Sequence, residues 1–313
     1  MSAPAARHAV SSARGRFLAA VSPPPAGGAV PELTASGWRG IDRQAPFLSY
    51  AGAGGANWSS ELEDLHEEAS RDHFIDVLTR VALVEAVLDA APPDGVLLDV
   101  GCSGGYLLAD LRGALPDALL VGADVVPDGL RRAHAEVPGA ALFQADACSL
   151  PFGDATVDAV VSANTLEHVT DHERALEEVR RVLVPGGRAA LVVPAGPELY
   201  DAYDAHLGHV RRYARGEMAG VARRAGLTVI DDGFLGTLVY PAFWAVKRYH
   251  RHRGRSLDTA GARARVERDI GATQGSRAGH WLCAVERRLA RRGVRLPRGI
   301  RGITVVQRPP AAP

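Results

Sequence analysis

Lysine is all but missing from this chain: of 36 basic Lys and Arg side chains in 313 residues, Lys247 is the one lysine and the rest are arginine. With abundant alanine and glycine, that bias reads as codon usage of a GC-rich genome rather than chemistry. Cysteine is scarce too. Cys102, Cys148 and Cys283 are odd in number and never in CxxC spacing, which excludes a disulfide framework or a zinc module and points to a reducing compartment. Long apolar runs are lacking. The run after Arg7, Arg14 and Arg16 covers only 17–21, against roughly 7–15 residues in a signal peptide. The longest, 234–246, is broken by Pro241, whereas a spanning helix needs about 20 residues. A cytoplasmic protein is expected. Because 234–246 leads into the cationic 247–255, a peripheral membrane contact is expected as well.

Net charge is also absent, with 36 acids against 36 bases, but the balance is local. Residues 1–246 hold 32 acids and 19 Lys/Arg, while 247–313 hold 4 acids and 17 Lys/Arg. Such a split marks either a surface for an anionic partner or an arginine-rich segment that pairs with an acidic body.

Residues 1–45 are rich in Ala, Pro, Gly and Ser without usable periodicity, and a disordered N-terminal segment is expected there. A helical cap over 46–94 follows. Ser60 and Glu63 form a capping-box pattern, and apolar residues from Leu62 to Leu88 recur at three- and four-residue steps, predicting two helices broken near Arg71. From 95 to 232 the pattern alternates. Strands are predicted at 96–100, 118–123, 141–144, 157–162, 188–193 and 227–230, separated by helices that include 106–115, 128–137 and one from Asp171 to 183. A basic helical insertion at 233–299 and a final strand and tail at 300–313 complete the chain. Strands spaced by helices imply an α/β, Rossmann-like doubly wound sheet with right-handed crossovers.

In such sheets ligands bind beyond the carboxyl ends of the strands. The first strand ends in Gly101-Cys102-Ser103-Gly104-Gly105, a turn that lets backbone approach a ligand ahead of a helix N-terminus. The GxGxxG spacing of dinucleotide enzymes would need glycine at 103 and 106, where Ser103 and Tyr106 stand, so an oxidoreductase is disfavoured. Asp99, Asp124 and Asp146 follow or end three successive strands. Asp124 is placed to accept from a ribose diol, Asp146 from an exocyclic adenine amine, and Asp99 to hold the loop or a cationic amino group. Each taken singly also reads as a cap or turn acid.

VLLDVGCSGGY, LLVGADVV, FQADACSLPF, VDAVVSANTLEHV and LEEVRRVLVPGGRAALVVP, in this order over about 96–194, resemble the class I S-adenosylmethionine-dependent methyltransferases, in the branch with ubiquinone and menaquinone methyltransferases (the type 11 methyltransferase domain). The resemblance implies a seven-stranded sheet whose last strand is antiparallel and inserted beside the sixth. It implies S-adenosyl-L-methionine as cofactor, bound by Asp99, Gly101, Cys102, Ser103, Gly104, Asp124, Val125, Asp146, Ala147 and Asn164. Ser103 replaces the family's usual glycine. The flanks LHEEASRDHFIDVLTR and YDAYDAHLGHVRRY resemble unassigned bacterial methyltransferases.

A hydroxyl acceptor needs proton removal, for which histidine suits neutral pH. His168 has the best address, with Glu167 and His209 as further catalytic candidates and His206 and His73 behind them. The plainer role for His168 is structural, on a backbone carbonyl. Residues 200–213 read as an active-site lid or wall. The pairs His168/His172 and His206/His209 bring no third ligand nearby in sequence, so no metal is expected. The expected activity is methyl transfer to a small-molecule or lipid- or glycan-linked acceptor. The alternative is a nucleic-acid (RNA) methyltransferase using the basic region, disfavoured because Asn164-Thr165-Leu166 replaces the Asn/Asp-Pro-Pro-aromatic signature. A non-catalytic module on the same fold is a further reading.

Overall fold

The computed structural model describes residues 12–24, 30–40, 44–50, 71–252 and 276–311. The chain begins with α1 (Ala13–Ala19) and the short strands β1 (Glu32–Thr34), β2 (Gly37–Arg39), β3 (Gln44–Ala45) and β4 (Leu48–Ser49). Helix α2 (Phe74–Leu88) precedes β5 (Val96–Val100), α3 (Tyr106–Ala114), β6 (Leu119–Asp124), α4 (Pro127–Glu136), β7 (Ala141–Gln144) and β8 (Val157–Ala163). Then come α5 (His172–Val182), β9 (Leu183–Pro194), α6 (Ala202–His206), α7 (Glu217–Arg224), β10 (Thr228–Leu235), α8 (Tyr240–His252), α9 (Arg277–Arg291) and β11 (Arg301–Gln307).

Strands β5 and β6 are buried along their whole length, as parallel strands covered by helices on both faces must be. The large sheet runs β10-β11-β9-β8-β5-β6-β7-β4. Strand β11 lies between β10 and β9 and is antiparallel to both, as the resemblance implies. From β5 the chain builds outward through β6 and β7, then returns to place β8 on the other side of β5. The crevice at that reversal, beyond the strand ends, is the default ligand site.

Two sequence expectations change. The sheet has eight strands rather than seven, because Leu48–Ser49 adds to β7 in parallel. Part of the segment expected to be disordered is folded: Ser12 caps α1 by accepting from Gly15 N at 3.0 Å, and Phe17 and Trp38 are 0% and 1% exposed. Phe17 lies 5.1 Å from Phe152, centroid to centroid, and Trp38 lies 5.2 Å from Phe143. Trp38 also donates to Leu142 O at 3.1 Å. Two aromatics in an Ala/Pro/Gly background carry no period, yet each buries on the order of 150–250 Å², enough to order the short elements around them.

The predicted capping box at Ser60 lies outside the described residues, as does the arginine-rich 253–275. The apolar stretch 234–246 is divided. Phe234 and Leu235 end β10, and the rest leads into α8. No helix among the described residues is long and apolar enough to cross a membrane. Much of the described late positive charge meets the acidic body: Arg287 and Arg291 pair with Glu85, Arg295 with Asp231, Arg301 with Asp76, and Lys247 with Asp201 and Asp204.

Candidate active site

The turn after β5 is shaped by close approach. Gly101 has φ +81°, and a Cβ there would stand 2.1 Å from Thr165 Oγ1, so nothing larger fits. Ser103 has φ +44°, a left-handed conformation that explains why the resembling family usually has glycine at this point. Asp124 holds it there: Oδ2 accepts from Ser103 N at 2.9 Å and Oδ1 from Val126 N at 2.9 Å. A carboxylate offers about four acceptor positions, so Asp124 can fix the turn and still receive hydroxyl groups from a ligand. Asp99 is 1% exposed, and its Oδ1 has no hydrogen-bond partner among the described residues. Burial, reinforced by the like charge of Asp124, pushes its pKa well above the usual carboxylate range.

Across the cleft floor, Asp146 accepts from Cys148 N at 2.8 Å, which is the turn-acid role open to it in sequence. Its loop is pinned from behind by Glu178 of α5. Glu178 Oε2 accepts from Leu150 N at 2.9 Å and from Arg181 at 2.7 Å, and Arg181 also donates to Leu150 O, Phe152 O and Asp154. Burial alone would raise the Glu178 pKa. The hydrogen bonds from Arg181 and Leu150 N and the charges of Arg181 and Arg174 outweigh it and hold the carboxyl below its ordinary value. Asn164 follows β8 with φ +50° and lines the same cleft.

The opposite wall joins residues far apart in sequence. His168 Nδ1 lies 3.3 Å from Gly208 O, the backbone contact its structural role requires, while the ring also lines the cleft. Its ring stands 4.8 Å from that of His209, edge to face. His209 Nδ1 lies 2.9 Å from Asp204 Oδ1, and its Nε2 lies 3.9 Å from Glu167 Oε1. Glu167 is 0% exposed, and neither carboxylate oxygen has a hydrogen-bond partner among the described residues. Burial raises its pKa, partly offset by His209, Arg301 and Arg212. Asp204 is also buried, but His209, Arg212 and Lys247 surround it and hold it below the usual range. The 200–213 segment thus supplies a wall: it delivers His209, and Arg211 ties it to Val169 O and Thr170 O at 2.8 and 2.9 Å.

One cleft, with about 1210 Å³ of atom-free space partly open to solvent, is lined by all ten predicted cofactor residues and by His168 and His209. Glu167 stands behind that wall. His206 and His73 do not line the cleft; His73 caps α2 beside Asp76, at 3.6 Å. Among the described residues neither His172 nor His206 falls in a group of three ligand-bearing side chains, and His172 Nδ1 is engaged by Tyr213 OH at 2.8 Å. Sequence reasoning missed the rim: Asp76, Thr79 and Arg80 from α2, Tyr106 and Thr165, and Arg301, which donates to Asp76 at 2.6 Å and to Thr79 at 2.7 Å. The helical period marked α2 only as an apolar face, and its polar rim becomes visible once β11 places Arg301 against it.

The doubly wound sheet with an inserted antiparallel strand, a glycine turn after its first core strand and acids at successive strand ends agree with the architecture that the class I methyltransferase resemblance implies. The donor set suits S-adenosylmethionine. Asp124 and Asp146 offer acceptors, and the Asp99 oxygen without a hydrogen-bond partner among the described residues suits a cationic amino group.

Residues 98–191 match the family described as "Methyltransferase domain". A demethylmenaquinone methyltransferase of Thermus thermophilus is 37% identical over 121 residues, covering 37% of this chain and 54% of that protein. The chain spans about half the length of the curated relatives it matches. Among solved structures, the Haloferax volcanii putative methyltransferase in complex with the Trm112 activator shares the fold, with TM-score 0.53 and 19% identity, covering 80% of this chain and 99% of that one. Geranyl diphosphate C-methyltransferase of Streptomyces coelicolor does so with TM-score 0.51 and 15% identity, covering 74% and 76%.

Proposed function

We propose that this protein is an S-adenosylmethionine-dependent methyltransferase acting on a small-molecule acceptor, with lipid- or glycan-linked acceptors within that class, in the cytoplasm. The carrying observation is convergence: the Gly101 turn, Asp99, Asp124 and Asp146 form one half of a cleft, and His168 and His209 form its other half. The cofactor, when bound, supplies a sulfonium-activated methyl group. The protein's part is to hold that group and an acceptor in line, and positioning accounts for most of the rate in such chemistry. Asp124 orients the ribose side, the turn 101–105 and Asp99 border the amino-acid side, and His168 faces the space where an acceptor enters.

One observation supports a small acceptor over RNA: Lys247, Arg287, Arg291, Arg295 and Arg301 of the late basic segment pair with acids of the same chain. Calorimetry with S-adenosylmethionine against NAD and RNA tests the reading; tight binding of the first alone is expected. Incubation with methyl-labelled cofactor and host extract then identifies the acceptor. Failure to bind the cofactor overturns the proposal, and binding without any labelled product favours a non-catalytic module.

A further inference from the structure

We infer that Glu167, His168 and His209 form a site for one divalent transition-metal ion at the acceptor end of the cleft. One ligand atom from each residue lies within 4.8 Å of the others. Metal–ligand distances of about 2.0–2.2 Å bring neighbouring ligand atoms to roughly 3 Å, a closure that side-chain rotation supplies.

Three independent features support the site. The first is Glu167. A carboxylate at 0% exposure without a hydrogen-bond donor is a rare arrangement in native proteins. Nearby cations are engaged elsewhere: Arg212 and Lys247 sit on Asp204, and Arg301 sits on Asp76. A metal ion would supply the missing counter-charge.

The second is the orientation of the imidazoles. His209 Nδ1 is held by the Asp204 carboxylate at 2.9 Å, and His168 Nδ1 faces the Gly208 carbonyl at 3.3 Å. Outer-shell acceptors of these two kinds fix metal-binding histidines with Nε2 as the coordinating atom. Asp204 is itself braced by Arg212 at 2.8 Å and Lys247 at 3.3 Å.

The third is the ligand set. Two imidazoles and one carboxylate suit Mn, Fe, Co or Zn more than Mg or Ca. Three protein ligands leave coordination positions open, the mark of a catalytic rather than structural metal. His168 and His209 border the cleft, so those positions face it. The consequence for acceptor class, an oxygen-bearing group such as a hydroxyl or phenol, rests on the methyltransferase reading above; the metal site itself does not.

The test uses the full chain stripped with a chelator and titrated with Co²⁺, whose visible absorption reports coordination, alongside thermal melting. One Co²⁺ per chain is expected, with a higher melting temperature. Affinity should fall at least tenfold in Glu167→Gln and in His209→Ala, and stay unchanged in His206→Ala, which lies off the cleft. Metal-free Glu167→Gln should melt no lower than the metal-free parent, because it removes a buried carboxyl that has no hydrogen-bond donor among the described residues. Absence of saturable one-to-one Co²⁺ binding to the parent, or equal affinity in Glu167→Gln, overturns the site. Calorimetry with S-adenosylmethionine on the same metal-free protein separates the two ideas. Cofactor binding without Co²⁺ binding removes the metal alone, and Co²⁺ binding without cofactor binding removes the methyltransferase reading and leaves the metal site.

Discussion

Replacing Glu178 with alanine should loosen the loop that carries Asp146 and lower the stability of the whole domain. The carboxylate is 4% exposed and satisfies Leu150 N, while Arg181 reaches it through both Nε and Nη2. Leaving a buried amide without an acceptor costs about 1–3 kcal/mol. Removing one partner of a buried ion pair costs roughly 3–5 kcal/mol when the other charge is stranded. Arg181 is not stranded: its side chain is 29% exposed and keeps Asp154 and two loop carbonyls. The lower end applies, a total of about 2–3 kcal/mol, or a fall in Tm of roughly 4–10 °C for a domain of this size. The pH dependence carries a sign. A carboxyl held below its ordinary value contributes stability that is fully present above the unfolded pKa, about 4.3, and lost as pH falls through the folded one. Urea denaturation followed by circular dichroism should therefore show a constant gap between parent and variant from about pH 6 to 8 that closes on acidification below about pH 4. A change under about 0.5 kcal/mol at neutral pH, or a gap that persists in acid, would refute the reasoning.

Asp124→Ala should weaken S-adenosylmethionine binding by roughly tenfold or more, since hydrogen bonds to charged groups contribute about 1.5–3 kcal/mol; unchanged affinity by calorimetry in a folded variant would remove Asp124 from the cofactor site. Trp38→Ala should cost about 3–5 kcal/mol in chemical denaturation, the range for large-to-small changes in a packed core, whereas an unaffected midpoint would show the N-terminal elements to be detached from the domain.

Legibility in the sequence followed the range of the interactions. Strands β5 to β9 announce themselves as apolar runs ended by turn residues, and the glycine turn with Asp99, Asp124 and Asp146 is local enough to read directly. The family resemblance contributed the antiparallel last strand, which no periodicity reveals. Order around Phe17 and Trp38 was not legible, because it arises from packing on Phe143 and Phe152, more than a hundred residues away. The meeting of Glu167 with His209 was equally hidden. Their separation of some forty residues is closed by the sheet and the 200–213 wall, so counting along the chain finds only histidine pairs that do not form. The rim residue Arg301 reads as one arginine among many until β11 sets it against α2.

Lys247 sits on α8 as the chain's one lysine, 9% exposed and bonded to Asp201 and Asp204. A protease that cuts only after lysine therefore has one bond to attack, and that bond is helical and tied to the wall that carries His209. Cleavage requires local opening of the backbone around it, and its rate under fast reclosing follows the free energy of that opening. Two fragments appearing over time would thus give a clock for the breathing of this wall without any label, mutation or assay of chemistry. Any molecule that braces the wall should slow the clock in proportion to how firmly it holds.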